Sequence, residues 1–221
     1  MSSIGKLFLS CRLLFSADFT HFDTSELTDI SGLFLSAGGL AKVNFGNNFS
    51  TKQVTDMGYL FMNCESLTSV DLSKFDTSKT KNLENMFGEC GKLAKLDLSS
   101  FDTSSVTNFN YMFNGCTTLT SLNIEKFNTA NAVSMYDMFN DCNVLTDLRI
   151  TNFNTAKVKY MDRMFYNCNG LVSLDLSSFD TSSLETAGRM FANCLELTSV
   201  TQHFTSENLE TAEGMFLNAE N

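Results

Sequence analysis

Apolar positions along this chain recur with a fixed step. Phe49, Phe75, Phe101, Phe127, Phe153 and Phe179 lie 26 residues apart. So do Phe61, Phe87, Phe113, Phe139, Phe165 and Phe191, and so do Cys64, Cys90, Cys116, Cys142, Cys168 and Cys194. From Met86 to Met190, each phenylalanine of the second series follows a methionine. Three parallel ladders at one period are the mark of a repeat architecture, in which a unit too small to bury its own apolar face does so against its neighbours.

The unit Phe101–Lys126 shows what each repeat should form. Val106, Phe109, Phe113 and Cys116 are spaced 3, 4 and 3 apart, which predicts one face of a short helix. Asp102, Thr103 or Ser104 would cap its amino end, and Gly115 with the two threonines after it would stop it. Leu122 and Ile124 then alternate with polar neighbours, predicting a short half-buried strand. Leu119, Leu122 and Ile124 reproduce the L-x-x-L-x-L core of leucine-rich repeats. The expected fold class is α/β: a leucine-rich-repeat-like, right-handed solenoid with a parallel strand sheet on one side and short helices on the other. Phe22 opens a 27-residue unit in which Leu33-Phe34 stands for Met-Phe and Ala37 for Cys. Seven full repeats span 22–203. A partial unit at 1–21 holds Leu7-Phe8 and Cys11, and another at 204–221 ends after Met215-Phe216. The whole of 1–221 reads as a single solenoid domain.

The segment Leu93-Ala-Lys-Leu-Asp-Leu-Ser-Ser-Phe-Asp-Thr-Ser-Ser-Val-Thr-Asn resembles the BspA-like leucine-rich repeat family, and the resemblance covers nearly the whole chain. Members occur on bacterial surfaces, including mycoplasma lipoproteins, and in some protists. The resemblance implies a cell-surface or secreted, adhesion-related role, and it carries over no catalytic residue. Lys6 followed by Leu7, Phe8, Leu9, Ser10 and Cys11 is a poor signal peptide: the apolar run is short, Arg12 interrupts it and no cleavage site follows. The expectation is a chain without its own signal or anchor, a fragment of a longer surface protein.

Composition narrows the function classes. A net charge of −10 argues against nucleic acid, whose phosphates need Lys and Arg. It also argues against electrostatic attachment to an anionic membrane, and no apolar run is long enough for direct membrane insertion. The cysteines lack the close pairs of a zinc site, and the histidines are His21 and His203 alone, so no metal or cofactor is expected. Thiols repeating in parallel on adjacent coils point the same way, which suits free buried thiols better than disulfides. A threonine ladder, Thr24, Thr51, Thr77, Thr103, Thr129, Thr155 and Thr181, continued by Ser206, suits helix capping or hydroxyl bonding between coils. It suits an ice-binding array poorly, because Asp23, Asp76, Asp102 and Asp180 flank it.

No catalytic constellation stands out from the repeat background, so the chain reads as a non-enzymatic scaffold for protein or surface-ligand binding, of adhesin type. The alternative is a structural spacer or assembly component with no ligand of its own. The outward side of the strands, expected to be a concave face, carries Asn44, Asp71, Asp97, Asn123 and Asp175. One coil departs from the pattern with Asp147, Arg149 and Thr151 where others have Ser, Asp and Ser. Small polar and acidic groups fit a basic protein surface, a glycan or Ca²⁺, and fit equally a solvated face with no partner. At the ends, the apolar amino-terminal half-unit (Leu7, Phe8, Leu13, Leu14, Phe15, Phe19) is expected to fold over and partly close the first coil. The last coil should stay open, a surface for end-to-end self-association.

Overall fold

A computed structural model describes residues 2–202, 204–205 and 207–219; His203 and Ser206 lie outside them. Six short strands occur: β1 (Ser16–Asp18), β2 (Lys42–Asn44), β3 (Ser121–Leu122), β4 (Asp147–Leu148), β5 (Ser173–Asp175) and β6 (Ser199–Thr201). They pair in parallel as β1–β2, β3–β4 and β5–β6, with each residue facing its equivalent 26 positions on. The expected continuous sheet is thus three two-stranded pieces. A second ladder is unbroken. Single parallel bridges link Ser3, Asp29, Asp56, Asn82, Asn108, Ser134, Tyr160, Thr186 and Thr211 in succession, one residue from each of nine coils.

No helix forms among the described residues, and the backbone hydrogen bonds show why. In the stretch expected to be helical, N–H groups alternate between two kinds of acceptor. Phe109, Tyr111, Phe113 and Gly115 donate to Ser134, Tyr136, Met138 and Asn140 of the next coil at 2.8–3.2 Å. Met112, Asn114 and Cys116 donate three residues back, to Phe109, Tyr111 and Phe113, at 3.0–3.2 Å. An α-helix would direct each of these N–H groups to the carbonyl four residues before it. Here half of them stitch coils together and half close β-turns. Val106, Phe109, Met112, Cys116 and Leu119 still face inward, because consecutive turns repeat every three residues and so imitate the spacing of a helix face. The run also requires left-handed backbone at Tyr111 and Gly115 (φ 58° and 70°), and at the matching pair in neighbouring coils, such as Asn85 with Glu89 and Asp137 with Asp141. Each non-glycine residue so placed costs about 1–2 kcal/mol; the hydrogen bonds between coils offset it.

The core follows the sequence ladders. Phe8, Phe34, Phe61, Phe87, Phe113, Phe139, Phe165, Phe191 and Phe216 form one stack, with ring centroids 5.0–6.0 Å apart and planes within 5–13° of parallel. Phe49, Phe75, Phe101, Phe127, Phe153 and Phe179 are buried too. The six ladder cysteines are buried and unpaired. Each thiol donates to the carbonyl of the stacked phenylalanine one coil back, for example Cys90 Sγ to Phe61 O at 3.1 Å and Cys194 Sγ to Phe165 O at 2.9 Å. Burial pushes the thiols of Cys64 and Cys142 up to about 12 and that of Cys194 up to about 11, so thiolate chemistry is suppressed at neutral pH.

The threonine ladder bonds between coils. Thr103 Oγ1 donates to Asn128 O at 3.0 Å and accepts Asn128 N–H at 2.8 Å. Thr51 does the same with Asp76, and Thr77 with Asp102. These threonines are 0–2% exposed, so their hydroxyls are spent on the next coil and unavailable to an ice surface.

The amino-terminal half-unit does not fold over the first coil. It is itself a coil in register: Phe8 stacks on Phe34, Phe19 is buried and β1 pairs with β2. Leu7, Leu9, Leu13 and Phe15 are left exposed, Leu13 at 97%. The ladder geometry wins because a coil in register satisfies backbone groups that a folded-over cap would leave without partners.

Candidate functional site

The strand side places Asn44, Asp71, Asp97, Asn123, Asp147, Arg149, Thr151 and Asp175 at the surface, all exposed. The alternation expected of the strand holds in the fourth complete repeat, where Leu122 and Ile124 are buried between exposed Ser121, Asn123 and Glu125. Most of the face is occupied with its own backbone. Asp71, Asp97 and Asp175 accept the N–H of Ser73, Ser99 and Ser177, two residues on, at 2.9–3.0 Å. Asn44 accepts Gly46 N–H at 3.0 Å and Asn123 accepts Glu125 N–H at 3.3 Å. These are Asx turns, in which a short acidic or amide side chain replaces a backbone acceptor. Hydrogen bonds from the following serines hold the carboxyls of Asp71, Asp97 and Asp175 below the usual carboxylate range. The same device recurs at the next corner, where Asp76, Asp102 and Asp180 accept from Ser78, Ser104 and Ser182.

Arg149 is the exception. It takes the position of those turn-forming residues and cannot accept an N–H. Its side chain instead reaches Glu125 Oε1 through Nη1 and Asp147 Oδ1 through Nε, both at 3.3 Å. The two carboxylates, Glu125 first, hold the guanidinium above its usual range. Ser121, Leu122, Asn123, Glu125, Asp147 and Arg149 line a shallow groove of about 230 Å³. The structure therefore brings Asn123, Asp147 and Arg149 together and leaves Thr151 out of the groove. A second groove, about 480 Å³, lies over β1 and β2 and includes Asn44 and Asp71. Asp97 and Asp175 line neither. Among the described residues, no group of three or more His, Cys, Asp or Glu is placed to hold a metal ion.

One cluster was not singled out from the sequence. Asp137 is fully buried and pairs with Arg163 Nη2 at 3.1 Å. The Arg163 guanidinium lies 5.2 Å from the centre of the Tyr136 ring and donates to its hydroxyl, and Tyr136 packs against Tyr111 at 5.3 Å. Burial pushes the Asp137 carboxyl up to about 6, against the pull of Arg163 and the hydrogen bond from Asn140. The signal was present: Tyr111, Asp137 and Arg163 share one repeat position, and opposite charges on successive coils at one position mark an ion pair.

A family described as Mycoplasma protein of unknown function, DUF285, matches residues 2–121, 94–173 and 116–221. The chain belongs to that family. No curated protein matches the sequence. Among solved structures, a leucine-rich repeat protein of T. pallidum is similar over 65% of this chain and 60% of its own, with 19% identity and a TM-score of 0.43. A leucine-rich repeat protein from Eubacterium ventriosum is similar over 92% of this chain and 58% of its own, at 18% identity and a TM-score of 0.43. One from Bacteroides ovatus is similar over 90% and 76%, at 15% and 0.30. The chain thus spans less than two thirds of the length of the T. pallidum and Eubacterium structures.

Proposed function

We propose that this chain is a non-enzymatic, adhesin-type binding module of a cell-surface protein, and that it takes a protein partner at the Arg149 groove on its strand side. The observation that carries the reading is Arg149 itself. The position holds Asp or Asn in most coils because the turn there uses that side chain; an arginine gives up the turn bond and stands exposed between two carboxylates over a groove. An arginine in a polar groove offers a planar set of donors suited to a carboxylate or a backbone carbonyl of a partner. The surface setting rests on the resemblance to bacterial surface repeat proteins.

Panning a random peptide library against the immobilised chain tests the reading. Peptides should be enriched that lose binding to an Arg149→Glu variant and keep it to an Arg189→Glu variant on the far side. Enrichment of no peptide, or of peptides indifferent to Arg149, overturns it. The spacer reading has one observation of its own: Asp71, Asp97 and Asp175 are bound to their own backbone, and a surface so occupied needs no ligand to explain its residues. Failure of the panning would favour it.

A further inference from the structure

We infer that the partner of the Arg149 groove is a basic, aliphatic stretch of polypeptide whose aliphatic side chains seat on an exposed patch formed by Val144 and Val172. The inference rests on the Arg149 reading above and names the kind of segment that groove takes.

The repeat pattern breaks beside Arg149 as well as at it. Between residues 23 and 202 the exposed large apolar residues are Val133, Val144, Tyr160, Val172 and Leu195. Val133 and Tyr160 lie on the turn side, next to and within the ladder of bridges. The other three fall at one corner of the fifth, sixth and seventh repeats, where the chain enters the strand side. Val144 is 42% and Val172 55% exposed. One period to either side, Val144 has Thr118 and Gly170, and Val172 has Thr146 and Thr198. Both valines therefore replace small or polar residues, and each has a coil on either side of it. The same corner of the second to fourth repeats exposes no large apolar residue.

The backbone holds the patch in place. A methyl group at Gly170 would lie 2.8 Å from the Leu145 carbonyl oxygen, so the sixth repeat passes in contact with the fifth beside Val144 and adds no side chain there. Thr198 donates its N–H and its hydroxyl to the Val172 carbonyl at 2.9 and 3.1 Å, which ties Val172 to the seventh repeat. Val172 directly precedes β5, and its equivalent Thr146 directly precedes Asp147 of the Arg149 groove. Leu195, 48% exposed, borders the same corner.

Charge on the strand side changes at the same place. Residues 65–74, 91–100 and 117–126 hold four acids balanced by four lysines. The corresponding 143–152, 169–178 and 195–202 hold Asp147, Asp175 and Glu196 against Arg149 alone. An anionic membrane or nucleic acid is repelled by such an excess. A purely aliphatic partner leaves the acids without a counterpart. A segment that sets Lys or Arg beside aliphatic residues meets both features, an apolar centre within a charged rim. The acid excess also selects between the acceptors suited to Arg149: a backbone carbonyl of the partner is favoured over a carboxylate. At about 3.3 Å per residue and about 4.8 Å per coil, the surface from Arg149 to Leu195 extends about 20 Å, the reach of roughly six to eight extended residues.

The test takes peptides panned on the full chain from a random library, resynthesises them with a fluorophore and titrates them by anisotropy. Peptides that need Arg149 should pair aliphatic residues with Lys or Arg. Val144→Thr/Val172→Thr gives each site the residue of a neighbouring repeat. It should weaken these peptides at least about tenfold and leave the urea midpoint near that of wild type. Changing a peptide's basic residues to Glu, or its aliphatic ones to Ser, should weaken binding without touching the protein, and so should high salt. Peptides that need Arg149 but are indifferent to the two valines and to loss of their own basic residues overturn this inference and leave the Arg149 reading standing. Basic, aliphatic peptides that need the valines but not Arg149 support the patch and overturn the Arg149 reading. A library that yields no binder overturns both.

Discussion

The two sides of each coil solve the same stacking problem differently. On the turn side the ladder of bridges is unbroken, each coil donates alternate N–H groups to the next, and a column of phenylalanines fills the space beneath. On the strand side, pairing is confined to three two-stranded pieces, and the outward side chains are exposed and vary from coil to coil. Regularity is concentrated where the backbone is under strain, at left-handed residues that only the neighbouring coil holds in place. Variation is concentrated where the backbone is extended and the side chains point to solvent. The turn side carries the fold, which leaves the strand side able to change without unfolding the chain. A repeat protein whose stability is a sum over coil interfaces can accommodate an Arg149 on those terms.

The sharpest way to break this contrast is to remove a ring from the turn-side column. Phe113 is fully buried and stacks on Phe87 and Phe139. Phe113→Ala should cost about 3–5 kcal/mol, the range for deleting a buried aromatic and leaving a cavity. Urea denaturation would read it as a large fall in midpoint. A loss below about 1 kcal/mol would mean that the column is not what holds the coils together.

Next in size is the threonine ladder, at the junction of the two sides. Thr103→Val keeps the shape and removes the hydroxyl, so the N–H and C=O of Asn128 both lose their partner. Each orphaned group costs about 1–3 kcal/mol when buried. Thr103→Ser keeps the hydroxyl and should recover most of the loss. Equal loss in both variants would show that the methyl group matters and the hydroxyl does not.

Much of this was readable from the chain. The three ladders fixed the period, the inward faces and the nine successive coils, because burial of one residue in each coil forces the same residue type in the next. The helices were misjudged for a physical reason: Val106, Phe109, Phe113 and Cys116 have helix-like spacing, but turns closing every three residues produce it as well. The left-handed positions gave no warning, since most are Asn, Asp, Tyr, Arg or Ser rather than Gly. On the strand side, Asp71, Asp97 and Asp175 read as an acidic face, open either to a partner or to solvent alone. The serine two residues after each is the clue to an Asx turn. Arg149 was legible as an irregularity; that Glu125 of the preceding coil completes its surroundings was not, because sequence places the two residues 24 apart.

Asp137 sharpens the contrast through pH. Its carboxyl is raised from 3.8 to about 6 by burial, so the folded chain binds a proton more tightly than the unfolded one. Folding is then disfavoured progressively as pH rises from about 4 to about 6, and the cost is constant above that. The lowered carboxyls of Asp71, Asp97 and Asp175 act in the opposite sense and below 3.8, outside this window. Asp137→Asn should therefore gain on wild type by on the order of 1–2 kcal/mol across the window, with Arg163, partly exposed, turning to water. Thermal melts of the two proteins between pH 4 and pH 7 measure it. Parallel curves would show that Arg163 compensates the buried charge fully.

The smallest effect belongs to the strand face, and its smallness is the point. Arg149 is paired with Glu125 and Asp147, but its side chain is 66% exposed and theirs 50% and 59%. Exposed pairs contribute about 0–1 kcal/mol, because water screens them and holding three flexible side chains costs entropy. Arg149→Ala should thus leave the urea midpoint close to that of wild type. Asp97→Ala, at the same face position two coils earlier, should lower the midpoint more, because it deletes the acceptor for Ser99 N–H. The order of these two neighbours separates the two kinds of residue on one face: those that build the turn, and the one that has been released from it. If Arg149→Ala proved the more damaging, Arg149 would be a structural clamp between coils, and its exposure would no longer argue for a partner.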